Sequence, residues 1–123
     1  PAELSDMVKT ESTVVIDTVA PTVTMNQAAG QADPTSISPV SFTGVFSEVV
    51  YGLTASDITF SGTAGATTIT IVGSGPTYTF NVSGMPRSGT VIASIGAGQV
   101  TDTAGNTNTA STSTDNTVTY NHP

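Results

Sequence analysis

The feature that most constrains the fold of this chain is the period of its side chains. In VSFTGVF the apolar residues Val40, Phe42 and Phe46 alternate with Ser41 and Thr43, and in PTYTFNV the set Tyr78, Phe80 and Val82 does the same. A period of two puts one face of a strand on a core and the other in water, and no helix can use it. The residues that carry the pattern are rich in Thr and Val, whose branched side chains lose rotamer freedom in a helix and suit a pleated surface. We therefore expect almost no helix.

Short segments of this kind recur between turn signals at intervals of about 8 to 15 residues, the spacing of a β-sandwich. The strands read from the sequence are Thr13 to Ile16, Thr22 to Asn26, Val40 to Phe46, Asp57 to Ser61, Thr67 to Val72, Thr77 to Val82, Val91 to Ile95 and Thr117 to Tyr120. Gly73-Ser74-Gly75-Pro76 suits a hairpin, Gly84 to Gly89 a longer corner, and Asp33-Pro34 opens a loop that ends at Pro39. With 123 residues the chain has the length of one domain with a real core.

Composition removes several classes of function. The net charge of -7 sets nine acids against Lys9 and Arg87 alone, so the clustered cations needed to neutralise nucleic-acid phosphates or to hold an anionic membrane surface are missing. There is no cysteine for disulfides or thiolate metal sites, and the only histidine is His122 in the tail, which disfavours zinc and copper. No apolar run reaches the roughly 18 residues of a membrane span, and no signal-peptide pattern opens the sequence, so an exported protein would be represented here by an excised piece.

The sequence also echoes itself. TESTVVID, from Thr10 to Asp17, laid over TDNTVTYN, from Thr114 to Asn121, matches three residues identically, pairs Glu11 with Asp115 and Asp17 with Asn121, and sets Ile16 over Tyr120. The offset of 104 residues, from Thr10 to Thr114, is the size of one sandwich domain. On this reading Thr10 to Ile16 is, or descends from, the closing strand of a preceding copy, and a tandem array is expected.

Three stretches together, IDTVAPTVT (Ile16 to Thr24), FTGVFSEVV (Phe42 to Val50) and TDTAGN (Thr101 to Asn106), resemble the bacterial Ig-like repeats of large surface proteins and adhesins, in the family's order and spacing from about Asp17 to Tyr120. One departure is Val49, where many such modules carry proline after FSE. The resemblance implies an all-β, Ig-like antiparallel sandwich of about seven strands in Greek-key order. It divides the chain into an N-terminal extension or remnant strand at residues 1–16, a repeat domain at 17–121 and a tail at 122–123. It also implies an extracellular location, at the cell surface or secreted, and neighbouring repeats of the same chain as partners.

Applied to this sequence, that topology gathers Asp17 at the start of the first strand, Glu48 after the second and Asp102 in the loop between the last two at one pole, the one facing the preceding repeat. Two carboxylates about 5 Å apart repel by roughly 3 kcal/mol at an effective dielectric near 20. Calcium is the natural counter-ion, because it accepts six to eight oxygens in irregular geometry. The expected ligands are Asp17, Glu48, Asp102 and Asn106, with loop carbonyls completing the shell. The ion would act mechanically, restricting the junction between repeats.

Each of these residues also has a purely structural reading. Asp102 in a DxAGN turn can bond nearby backbone N–H groups while Gly105 supplies a positive φ, and this is compatible with calcium. Glu48 can be a solvated carboxylate at a strand end, and Asp17 can cap a turn before Pro21. Asp33 falls at the opposite pole, where it could serve the junction with the next repeat. Asp57 and Asp115 read as strand-edge charges that discourage edge pairing.

Catalysis is not expected: without Cys, with one terminal His and one Lys, the repertoire of nucleophiles and bases is thin, and an Asp102–Glu48 acid pair has no tryptophan platform for a sugar. The alternative to a spacer is a carbohydrate- or ligand-binding module that uses polar loops, with Tyr51 or Tyr120 stacking on a sugar, or a host-cell or glycan target. The structural reading makes Tyr78 core and Tyr51 a half-buried loop anchor. A Thr-rich face for ice or mineral, an isopeptide crosslink from Lys9 and the sequon Asn81-Val82-Ser83 are weaker readings, since strand alternation explains the Thr, Lys9 lies outside the core and the sequon falls on a strand. The reading is thus a non-catalytic spacer repeat of an exported bacterial protein, monomeric as an isolated domain.

Overall fold

The structure is a computed structural model, and the residues described are 18–123. The strand expected over Thr13 to Ile16 and the candidate ligand Asp17 lie outside the described residues. Among the described residues seven strands form: β1 (Val23–Gln27), β2 (Val40–Phe46), β3 (Ile58–Ser61), β4 (Thr68–Val72), β5 (Thr77–Ser83), β6 (Gly89–Ile95) and β7 (Thr117–Tyr120). The only helical element among the described residues is a single 3-10 turn, Ala55–Asp57. The largest shift from the expected bounds is at β6, which starts at Gly89 rather than Val91 because its pairing with β7 extends to Gly89 opposite Tyr120.

The strands make two antiparallel sheets, a four-stranded one in the order β1-β2-β5-β4 and a three-stranded one in the order β3-β6-β7. This is the strand order of a constant-type Ig sandwich. Period-two alternation explains it: in β2 the residues Val40, Phe42, Gly44 and Phe46 are buried, and between them Ser41, Thr43 and Val45 are half-buried or exposed. Phe42, Phe80 and Met25 from one sheet and Val91, Ala93, Ile95 and Val118 from the other are almost fully removed from water. Burial of a Phe or Val side chain stabilises by about 1.5–3 kcal/mol, so these inward residues hold the layers together.

Gly44 faces the same core. A methyl at its Cβ position would stand 2.5 Å from Phe80 Cε2, so the absent side chain is the space the Phe80 ring fills. Tyr78, read as core, is half-buried and lines the core's margin, with its ring edge-on to Phe46 at 5.9 Å between centroids.

The chain enters at one pole and leaves at the other. Val23 begins β1 opposite the end of β2, at Phe46, and the segment that leads into β7 runs parallel to β1 from Thr112, beside Thr24, toward Tyr120. We call the pole of Val23 and Phe46 the upper pole and that of Tyr120 the lower. No helix of the described residues is long and apolar enough to cross a membrane.

Candidate functional site

The upper pole is built from the loop after β2 and the long connection between β6 and β7, residues 96–116. The two are tied by a reciprocal pair of backbone bonds, Tyr51 N–H to the Thr101 carbonyl at 2.7 Å and Thr101 N–H to the Tyr51 carbonyl at 3.1 Å. Ser47 N–H donates to the Thr22 carbonyl, and the Ser47 hydroxyl accepts from Thr22 N–H at 2.9 Å, which fastens the approach to β1 to the same place. Glu48 and Asp102 therefore share one pole, as expected. Tyr51 anchors this loop through its backbone, whereas the residue, expected to be half-buried, is 54% exposed.

Asp102 sits at the tip of a small hairpin whose sides are Thr101 and Thr107. The residue is only 3% exposed. Oδ1 accepts from Ala104 N–H and from Asn106 N–H, both at 2.9 Å, and Oδ2 accepts from the Asn106 amide at 3.1 Å. The loop closes through Asp102 N–H to the Asn106 carbonyl and Gly105 N–H to the Asp102 carbonyl, with Gly105 at φ +88°. A short polar side chain that bonds its own backbone and a glycine at positive φ are what the sequence TDTAGN supplies. Asp102 is thus the organiser of this turn.

Its removal has a calculable effect. Hydrogen bonds to a charged acceptor contribute about 1.5–3 kcal/mol each, and donors left without a partner cost a similar amount. Asp102→Ala is expected to destabilise the chain by about 2–4 kcal/mol, read as a lower urea midpoint at unchanged slope, while Asp102→Asn, which keeps an oxygen for the two backbone donors, costs about 1 kcal/mol.

A second organiser, Asn108, escaped the sequence reading. It is 2% exposed, and its carbonyl oxygen accepts from Gln99 N–H and Val100 N–H at 2.8 and 3.0 Å while its amide donates to the Gly96 and Thr109 carbonyls at 2.9 and 2.8 Å. One amide thus satisfies four backbone groups on both sides of the loop. In the sequence it stands between Thr107 and Thr109 in a polar stretch, and nothing there marks it as buried; Asn in a run of Thr and Gly is the only signal.

Asp57 and Asp33 hold local structure. Asp57 Oδ2 accepts from Thr54 N–H at 2.8 Å and from the Thr54 hydroxyl at 3.2 Å, so it caps the 3-10 turn, where the sequence suggested only a strand-edge charge. Asp33 is at the lower pole, and its carboxylate accepts from Thr119 N–H at 2.9 Å. Asn26 Oδ1 accepts from Thr114 N–H, the Thr114 hydroxyl and Asp115 N–H, which fixes the approach to β7.

Of the residues expected to hold a cation, Glu48, Asp102 and Asn106 lie at the upper pole. With the Asn106 amide nitrogen turned to Asp102, the carbonyl oxygen is the atom of that side chain with cation chemistry. Among the described residues no group of three or more His, Asp or Glu is placed to hold a metal ion, and the third expected carboxylate, Asp17, lies outside them. No pocket is found among the described residues.

A family model described as a bacterial Ig-like domain matches residues 17–120. No curated protein and no solved structure matches the chain.

Proposed function

The chain belongs to the bacterial Ig-like domain family, and on that premise we propose that it is a load-bearing, non-catalytic spacer repeat of an exported bacterial surface protein, joined end to end to neighbouring repeats. Domains of this family are typically structural modules and commonly occur in surface or exported proteins. In this reading Thr10 to Ile16 carry the sequence of a preceding repeat's closing strand, at the offset of 104 residues from Thr114.

One observation carries the proposal. The first strand and the approach to the last run side by side and parallel, tied by Thr109 N–H to the Pro21 carbonyl, Thr112 N–H to Val23, Met25 N–H to Thr112 and Gln27 N–H to Asp115, at 2.8 to 3.0 Å. A force applied through the two ends draws β1 toward the upper pole and β7 toward the lower one. These four bonds then lie across the line of separation and share the load, whereas a ladder pulled open from one end breaks bond by bond. Thr112→Pro tests this, because it deletes the N–H that bonds Val23. Stretched in a tandem polyprotein, the variant is expected to unfold at a clearly lower force than the parent chain; equal forces would discard this load path.

The upper pole adds a finer part to the proposal: calcium held by Asp17, Glu48, Asp102 and Asn106 stiffens the junction with the preceding repeat. Its support is the arrival of Glu48, Asp102 and Asn106 at one pole from loops distant in sequence, together with the hard oxygen donors they carry. The ion would neutralise like charge and cross-link the loops. At millimolar calcium and a dissociation constant near 0.1 mM, linkage adds about 1.4 kcal/mol, or roughly 5 °C in the melting midpoint of a domain this size. Melts of the chain in calcium and in EDTA check this, and coincident midpoints would remove calcium from the account.

A further inference from the structure

The sandwich has four lateral sheet edges, and two of them are closed. The outer edge of β1 is covered by residues 109–115 through the bonds described above, and that of β7 by Thr35, whose N–H donates to the Thr119 carbonyl and whose carbonyl accepts from Asn121 N–H. Among the described residues β3 and β4 have strand partners on one side only. Open edges are templates for pairing with another chain, and proteins usually blunt them with charge, proline, bulges or very short strands. β3 has four residues and follows directly on Asp57. β4 carries no charge, proline or bulge: Thr68, Ile69, Thr70, Ile71 and Val72 are all β-branched, uncharged and paired without a break to β5, and Val72 is 56% exposed.

We propose that β4 is a docking edge for β4 of a second copy of this chain, the two strands antiparallel about a two-fold axis at Thr70, so that two four-stranded sheets become one sheet of eight. Two features select a second copy. The first is self-complementarity. Centred on Thr70, the exposed Thr68 and Val72 stand opposite Val72 and Thr68 of the second copy, and the half-buried Ile69 and Ile71 stand opposite Ile71 and Ile69, so like faces meet like on both sides of the sheet. The second is charge. Two copies of net charge -7 repel, and they can meet closely only where no carboxylate opposes another. The outward rows of this sheet are neutral, as in the row Asn26, Thr43, Thr79 and Val72. The 3-10 turn that ends at Asp57 packs against β4.

The geometry has a functional consequence that rests on the surface-repeat reading above. Antiparallel pairing of β4 inverts one sandwich relative to the other, so the upper pole of one copy lies beside the lower pole of its partner. Arrays joined in this way run in opposite directions, as they do when they project toward each other from two facing cells. A contact of five residues is weak alone and gains strength when successive repeats engage together.

Sedimentation equilibrium of the purified chain tests the edge directly. The chain is expected to be monomeric at micromolar concentration and to dimerise with a dissociation constant on the order of 0.1–1 mM, in the range of small transient contacts. T70K, which sets two ammonium groups opposite each other, is expected to weaken dimerisation at least tenfold without changing the melting midpoint. T68K/V72E, which offers each new cation a carboxylate across the axis, is expected to dimerise more tightly than either single variant. T24K, on the same sheet at the opposite edge, leaves association unchanged. A parent chain monomeric through millimolar concentration, a T70K variant that dimerises equally well, or a T24K variant that loses association equally would overturn the proposal. This readout concerns the edge alone, so its failure leaves the load-bearing function to its own pulling test.

Discussion

Phe80→Ala lowers stability by about 3–5 kcal/mol, the range for removing a buried Phe ring. Phe80 is 0% exposed and lies at the centre of β5, with Phe42 opposite on β2. Its ring rests where a side chain on Gly44 would otherwise go, at 2.5 Å from a methyl placed there. Gly44→Ala alone therefore forces the ring to shift and costs about 1–3 kcal/mol as overpacking. The double variant should be more stable than the sum of the single costs implies, because the new methyl fills part of the cavity left by the ring and meets no Phe. Guanidinium unfolding of the four proteins measures this coupling. Strict additivity would mean that Gly44 and Phe80 do not share the space assigned to them.

Asn108→Ala is of comparable size, about 3–5 kcal/mol. The lost amide leaves Gln99 N–H, Val100 N–H and the Gly96 and Thr109 carbonyls without their present partner, at a cost of roughly 1–3 kcal/mol for each group that water does not reach. Asn108→Asp separates the two halves of the network: it keeps acceptors for Gln99 and Val100 but sets a buried carboxylate oxygen against the Gly96 and Thr109 carbonyls, so a loss at least as large as that of Asn108→Ala is expected at neutral pH. The damage should be local. Amide hydrogen exchange across residues 96–109 is expected to rise while β2 and β5 stay protected. Uniform loss of protection would mean that the loop and the sheets unfold as one unit.

These two residues show what the sequence did and did not reveal. Phe80 was legible because it repeats with Tyr78 and Val82 at a period of two, and the same period placed Val40, Phe42 and Phe46 on the core side of β2. A strand's two faces are written in alternate residues. Asn108 was not legible, because its work is done through backbone groups of Gly96 and Gln99 across the loop, and no local pattern records which polar residue a long connection will bury. Asp102 stood between the two cases. Its turn was readable from the Asp, the Gly and their spacing, and the pole it occupies from the strand order. That its carboxylate engages Asn106 through both backbone and side chain depended on how the loop closed. Asp57 was read as an edge charge because it opens a strand, yet it acts backward on Thr54 to shape the turn before that strand.

Edge closure has the same logic. The parallel seam between β1 and residues 109–115 involves positions nearly ninety apart in sequence, Asn26 with Asp115 for example, and only the folded chain brings them together. That seam is what turns an ordinary sandwich into a candidate for bearing load, since it lies between the two ends through which neighbouring repeats would pull.

The most direct test of this account is to stretch the chain in two directions. Pulled between its ends, it loads the β1 seam in shear; pulled between handles placed at Thr22 and Ser47, neighbours at the upper pole, it opens β1 from β2 one bond at a time. The account predicts an unfolding force at least twofold higher for the end-to-end pull. Equal forces, or a stronger response to the pull across the upper pole, would contradict it.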